Sequence, residues 1–175
     1  ILVNKIKIHD FYCIEPEVHN FEMLKNNLKN LNKKNINTYN IAITKKKSAK
    51  RKIYINYKNF GDYSLLKTNK FQKFKIIKSV NANKFFNEII KRNKIKKIIY
   101  KSDIQGMDEE VALSLNNKII DKIKVMILEI SNLNFLNKNQ KEFKNLVNKF
   151  NIKEDDKGNK ISTQIVFNKI KKGEN

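Results

Sequence analysis

Proline and cysteine each occur once in this chain of 175 residues, tryptophan is absent, and glycine occurs only four times. A single cysteine, Cys13, excludes a disulfide within the chain and fits a reducing, cytoplasmic setting. Within Phe11-Tyr12-Cys13-Ile14 it reads as a buried strand residue. Gly61, Gly106, Gly158 and Gly173 stand too far apart to build a glycine-rich phosphate loop. His9 and His19 have no cysteine or acid at metal-ligand spacing, so no metal site is expected. No Ser-His-Asp arrangement can be placed. No apolar run approaches the ~20 residues of a membrane span, and the N-terminus carries no signal-peptide pattern. The chain opens on Ile1-Leu2-Val3 rather than Met, as if entered partway through.

Acidic residues are also scarce: 17 against 38 Lys plus Arg, a formal charge of +21. Arg51 and Arg92 are the only arginines. Lys, Asn and Ile make up about half the chain, well above ordinary usage. Their codons are rich in A and T, so compositional bias accounts for the excess. A nucleic-acid surface favours arginine, the better bidentate reader of phosphate. The lysines are therefore expected to form a solvated coat, with no specific nucleic-acid partner. The competing reading is a lysine-rich α/β module that holds anionic polymers non-specifically.

The length is that of one domain, here residues 1–170, and the 40% apolar content suffices for a core. Lys171 to Asn175 reads as a frayed tail. Periodicity predicts strands at Ile6–Ile14, Ile36–Ile43, Ile53–Tyr57, Phe74–Val80, Ile95–Lys101 and Lys124–Ile130. Helices are expected at Val18–Leu31, Ala82–Lys91, Asp108–Leu115 and Gln140–Phe150. Lys45–Lys52 reads as a charged turn and Phe60–Leu65 as a loop. Ile152–Glu154 and Thr163–Ile170 read as a closing antiparallel pair around a turn at Asp156–Asn159. Strands alternating with helices imply a mostly parallel sheet, here with an antiparallel edge.

Four places carry polar groups at strand ends, where open α/β sheets bind ligands. At Cys13-Ile14-Glu15-Pro16, Glu15 can accept hydrogen bonds from both hydroxyls of a ribose, or can be a plain exposed acid. At Asn40-Ile41-Ala42-Ile43, the small Ala42 would admit an adenine ring and Asn40 could bond its edge; the alternative is an ordinary strand end. Lys101, Asp103 and Gln105 fall on one side if the strand runs that far, and Gly106 allows a tight turn into a helix. Otherwise they are solvated loop residues. Glu129 closes the apolar Val125-Met126-Ile127-Leu128, either as a convergent polar group or as a lysine's partner.

In order and spacing, six stretches resemble the FkbM family of S-adenosylmethionine-dependent methyltransferases. They are CIEPEVHNFEMLKNNLKNLN (Cys13 to Asn32), NIAIT (Asn40 to Thr44), GDYSLL (Gly61 to Leu66), SVNANKFF (Ser79 to Phe86), KSDIQGMDEEVAL (Lys101 to Leu113) and MILEI (Met126 to Ile130). The resemblance implies a Rossmann-like methyltransferase sheet whose last strand is antiparallel. It implies O-methylation of a hydroxyl on a sugar, another glycan or a secondary metabolite, with S-adenosyl-L-methionine as cofactor. It puts Glu15 and Pro16 at the cofactor ribose, and Asn40 and Ala42 beside its adenine. Asp103 falls near the methionine end and the acceptor. Lys101, Gln105 and Gly106 complete the family's Lys-x-Asp-x-(Glu or Gln)-Gly motif. Ser102 departs from the aliphatic residue usual there, a change that local hydrogen bonding would tolerate.

The family's first strand and glycine-rich loop, which precede the Glu-Pro strand end, have no counterpart in this sequence. A fragment with little activity by itself is therefore expected, with a non-catalytic remnant as a further alternative. Without that central strand, the strands ending at Glu15 and near Tyr100 lose their shared neighbour. Each then presents a bare edge unless they pair with each other.

Overall fold

The computed structural model describes residues 9–29, 31, 35–47, 49–56, 63–67, 73–130, 133–153 and 164–169. Strand β1 (Phe11–Ile14) stops before Pro16, which has no N–H to give a ladder. Helix α1 (Val18–Lys29) follows. Glu17 starts it, its Oε2 accepting from the backbone N–H of His19 (2.7 Å) and Asn20 (3.0 Å), two donors that a helix start leaves unsatisfied.

The single strand expected over Ile36–Ile43 is two strands, β2 (Ile36–Tyr39) and β3 (Ala42–Thr44). The break falls at Asn40. Its amide Nδ2 donates to the carbonyls of Glu15 (3.0 Å) and Pro16 (3.1 Å). The chain thus stays fixed to the end of β1 while it changes sheet. Periodicity could not register this, because the apolar alternation runs on through the break.

Strand β4 (Lys50–Ile55) takes in residues expected to form a charged turn, and β5 (Lys73–Asn81) pairs with it antiparallel. In β4 the lysines fall outward while Ile53 and Ile55 are buried. Ser64 adds one bridge to Tyr54; the preceding part of the expected loop, residues 60–62, lies outside the described residues. Helix α2 (Ala82–Arg92) is capped by Asn81, which accepts from Lys84 N–H, and carries Lys91 and Arg92 where the helix dipole favours cations.

Then come β6 (Ile98–Ser102), α3 (Asp108–Ser114), α4 (Asn117–Ile120), β7 (Ile123–Glu129), α5 (Leu133–Lys138), α6 (Gln140–Val147), β8 (Phe150–Lys153) and β9 (Gln164–Lys169). The expected closing pair is present, β8 and β9 being antiparallel. Its turn, and residues 170–175, lie outside the described residues.

The strands form three sheets of a mixed α/β fold. In the first, β1 and β2 run parallel, with Phe11 opposite Ile36 and Ile14 opposite Tyr39. The second has the order β3-β5-β4, with β3 and β5 parallel. The third has the order β6-β7-β9-β8, with β6 and β7 parallel and β9 antiparallel to β7. Among the described residues, β1 and β6 each have one strand neighbour, and they do not pair with each other.

One core nevertheless serves the first and third sheets. Ile119, Ile120, Ile123, Met126 and Leu128 are fully buried at its centre, and Tyr12, Ile14, Tyr39, Ile98 and Tyr100 pack against it. A run of edge-to-face rings crosses between the sheets: Tyr39 to Phe85 (5.1 Å), Phe85 to Phe86 (5.9 Å) and Phe86 to Tyr100 (5.6 Å). Aromatic pairs in this geometry are attractive through their quadrupoles. Helix α2 thus joins β2 to β6 through side chains where no backbone ladder does. A smaller apolar group, Ala42, Ile53 and Ile77, holds the second sheet.

Candidate functional site

Polar groups collect at two strand ends. The first is the end of β1. There Glu15 Oε1 accepts from the backbone N–H of Glu17 at 2.8 Å. Burial pushes the Glu15 carboxyl up; the Glu17 N–H opposes this and the Glu17 charge adds to it, leaving a net rise. Pro16 and Asn40 stand beside it and line a cavity of about 210 Å³, closed by Glu17, Val18 and residues 75–78 of β5. Glu17 is 1% exposed, and Lys75 Nζ reaches its Oε1 at 2.6 Å. Burial alone would raise this carboxyl. The Lys75 ammonium and the His19 and Asn20 N–H groups outweigh it and hold Glu17 below the usual range.

Ala42 lies one step further along the chain. Its side chain is buried against Ile53 and Ile77 and does not line that cavity. The Asn40 amide is engaged by two backbone carbonyls, which makes it the clasp of this strand end. Cys13 is in β1 as expected but only half-buried, and burial raises its thiol pKa.

The second strand end lies where β6 and β7 finish side by side. Strand β6 stops at Ser102, short of Gln105, so strand alternation does not align the three polar residues. A turn does. Gln105 takes a left-handed conformation (φ 50°) and Gly106 follows at φ 89°, the region that favours glycine. The turn folds the Gln105 amide back: its Nε2 donates to Asp103 Oδ1 at 3.3 Å and reaches Glu129 Oε2, on the neighbouring strand, at 3.5 Å. Lys101 Nζ lies 3.8 Å from Asp103 Oδ2. Lys101, Asp103, Gln105 and Glu129 therefore form one constellation, with Lys101 and Asp103 exposed.

Glu129 is the most perturbed carboxyl there. A hydrogen bond with Asp103, burial, and the charges of Asp103 and Asp108 push it up to about 7, against a smaller opposing pull from Lys101.

Beneath the turn lies a buried polar layer. Ser102 is buried and hydrogen-bonds Asp108 and Tyr100. Asp108 is fully buried; its Oδ2 accepts from Ile104 N–H at 3.1 Å and its Oδ1 has no hydrogen-bond partner among the described residues. Burial pushes the Asp108 carboxyl up, partly opposed by Ser102 and the Ile104 N–H. Burial also drives the Tyr100 phenol to about 12.

The hairpin β4–β5 touches both strand ends. Lys75 on β5 reaches Glu17, and Ser64, bridged to β4, donates from Oγ to the Gln105 carbonyl at 2.8 Å. The structure thus gathers Lys101, Asp103 and Gln105 at one strand end and Glu15, Pro16 and Asn40 at another. The cavity at the second is not lined by Asp103. Sequence reasoning missed Glu17, Lys75, Ser64 and Asp108 as members of these networks. Glu17 had a signal, an acid directly before a helical period. Lys75 had none, standing in a chain where lysine is the commonest charge.

Among the described residues no group of three or more His, Cys, Asp or Glu could hold a metal ion, and no helix is long and apolar enough to cross a membrane. Compared with family models, curated proteins and solved structures, the chain matches none.

Proposed function

We propose that the chain carries the acceptor side and part of the cofactor side of an S-adenosylmethionine-dependent O-methyltransferase of the FkbM kind. Its substrate would be a hydroxyl of a sugar or secondary metabolite. The observation that carries this reading is the convergence of Asp103, Gln105, Lys101 and Glu129 where adjacent parallel strands finish. Ligands bind in that position in open α/β sheets.

Strand order supports the same reading. The Rossmann-like methyltransferase sheet implied by the sequence has one parallel strand between the counterparts of β1 and β6. Here those two strands pack on one core, each with a single strand neighbour among the described residues. Ile99, in the middle of β6, is 43% exposed, which suits a strand whose outer face another element would cover. A strand in that position would set Glu15 and the Asp103 turn on either side of a common crevice.

In this reading Glu15 holds the ribose diol. Its Oε2 takes no hydrogen bond from the described residues and is the oxygen offered. Pro16 and Asn40 fix that strand end, with Ala42 behind them. Asp103 orients the acceptor hydroxyl, helped by Gln105 and Lys101. Holding the two reactants in line lowers the barrier by removing orientational freedom.

The test is calorimetric titration of S-adenosylhomocysteine into the full gene product and its variants. Glu15→Ala and Asp103→Ala should each weaken binding by about tenfold or more, the scale of one lost charge-assisted hydrogen bond. Unchanged affinity in both would remove the assignments.

A further inference from the structure

The geometry points to Asp103 and Glu129, bridged by the Gln105 amide, as a single two-carboxyl unit that holds one proton between its members and serves as the proton acceptor of the site. The base role rests on the methyltransferase reading; the paired unit does not.

Two observations place the two carboxyls together. Glu129 is the last residue of β7, and the residue before it, Leu128, pairs with Ser102 at the end of β6, which brings the turn after Ser102 alongside. The left-handed Gln105 turn points its amide at both acids, 3.3 Å from Asp103 and 3.5 Å from Glu129. One amide donor within reach of both acids sets their charges side by side, and a proton on one of them relieves the repulsion.

The surroundings favour such sharing. Lys101 from β6 lies 3.8 Å from Asp103 Oδ2, the oxygen that does not take the Gln105 bridge, and its charge pulls weakly against the rise at Glu129. From α3, the fully buried Asp108 adds negative potential at Glu129, and its Oδ1 has no hydrogen-bond partner among the described residues. From β9, the register neighbour of Glu129 is Gln164, which does not titrate. Like charges at one site cannot both ionise in the ordinary range, so the pair titrates in two separate steps. The upper step belongs near neutrality, where a base is most effective.

In methyl transfer the doubly ionised pair would take the hydroxyl proton. The acceptor O–H bond breaks and its proton passes to a carboxylate oxygen of the pair. The oxygen's electron pair forms the new bond to the methyl carbon. The carbon–sulfur bond breaks with its electrons left on sulfur, and the sulfonium becomes a neutral thioether.

The experiment is a pH titration of carboxyl carbon shifts by NMR on isotopically labelled protein. Wild type should show one Glu carboxyl titrating near 7. That resonance should be absent from Glu129→Gln, and in Asp103→Asn the same carboxyl should return to the ordinary range. Both substitutions are isosteric at partly exposed positions, and circular dichroism checks the fold. A Glu129 carboxyl that titrates in the ordinary range in wild type overturns the proposal, whether or not the protein binds a methyl donor. Where a methyl acceptor is turned over, the rate should rise tenfold per pH unit below 7. Glu129→Gln should remove that inflection; its persistence overturns the base role. Titration near 7 in a protein that binds no S-adenosylhomocysteine supports the paired unit and removes the methyltransferase reading instead.

Discussion

At the scale of single residues, two glutamates lie at strand ends and respond to acid in opposite ways. Glu17 has a carboxyl held below its ordinary value by Lys75 and two helix N–H groups. Such a group adds stability above the ordinary carboxylate range, and the contribution is lost as pH falls through the depressed value. Lys75→Met should therefore lower stability at pH 7 by about 1–2 kcal/mol, a figure kept small because the ammonium is partly exposed. At pH 3 the loss should be smaller. Urea midpoints at the two pH values check this.

Glu129 runs the other way. Its folded value of about 7 exceeds its ordinary 4.5, so the folded protein holds this proton more tightly than the unfolded chain. Its contribution is full at low pH and declines as pH rises from about 4.5 to 7. Glu129→Gln should flatten that decline, with a gain of roughly 1–3 kcal/mol near pH 8. The sequence marked Glu129 as either a convergent group or a lysine's partner. What decided between them was the backbone of Gln105, whose left-handed turn no side-chain pattern announces. Asp103 and Lys101 were legible because they stand at a strand end. The roles of Glu17 and Lys75 were hidden because a pair separated by 58 residues exists only in three dimensions.

At the scale of elements, the strands and helices with strong period were plain in the sequence. Helix α2 is the clearest, with Phe85, Phe86 and Ile89 buried as its spacing requires. It is also the element on which most else depends. Asn83, on α2, donates from Nδ2 to the Ser114 carbonyl at 2.6 Å and accepts from Asn116 N–H at 2.8 Å. One amide thus satisfies both sides of the join between α3 and α4. Asn83→Ala should cost about 1–3 kcal/mol, since two partly buried backbone groups lose their partner. Asn81→Ala, which removes only the cap, should cost about 1 kcal/mol. Guanidinium denaturation of the two variants would give the comparison.

The short helices α4 and α5 escaped sequence reading. Four and six residues are too few for a helical period to show. Helix α4 is held instead by its Asn116 cap and by the full burial of Ile119 and Ile120. The split of β2 from β3 escaped for a different reason: a hydrogen bond from Asn40, not a change in residue type, ends the first strand.

At the scale of the whole molecule, the mixed α/β class and the antiparallel pair β8–β9 could be read from the alternation of periods. The division into three sheets could not, because register between distant strands is set by packing. The core centres on β7, where Met126 and Leu128 are fully buried. Met126→Ala should cost about 2–5 kcal/mol, the range for truncating a buried large side chain. The aromatic run Tyr39, Phe85, Phe86, Tyr100 then carries the burden of keeping β2 and β6 at a fixed spacing. That spacing is what would let the two polar strand ends act on one ligand.

The most direct measurement is amide chemical-shift mapping of the labelled protein on addition of S-adenosylhomocysteine. The account predicts saturable shifts at Glu15, Glu17 and residues 40–42 together with residues 101–106, both groups moving with the same dissociation constant. Shifts confined to one strand end, or no saturable shifts at either, would contradict it.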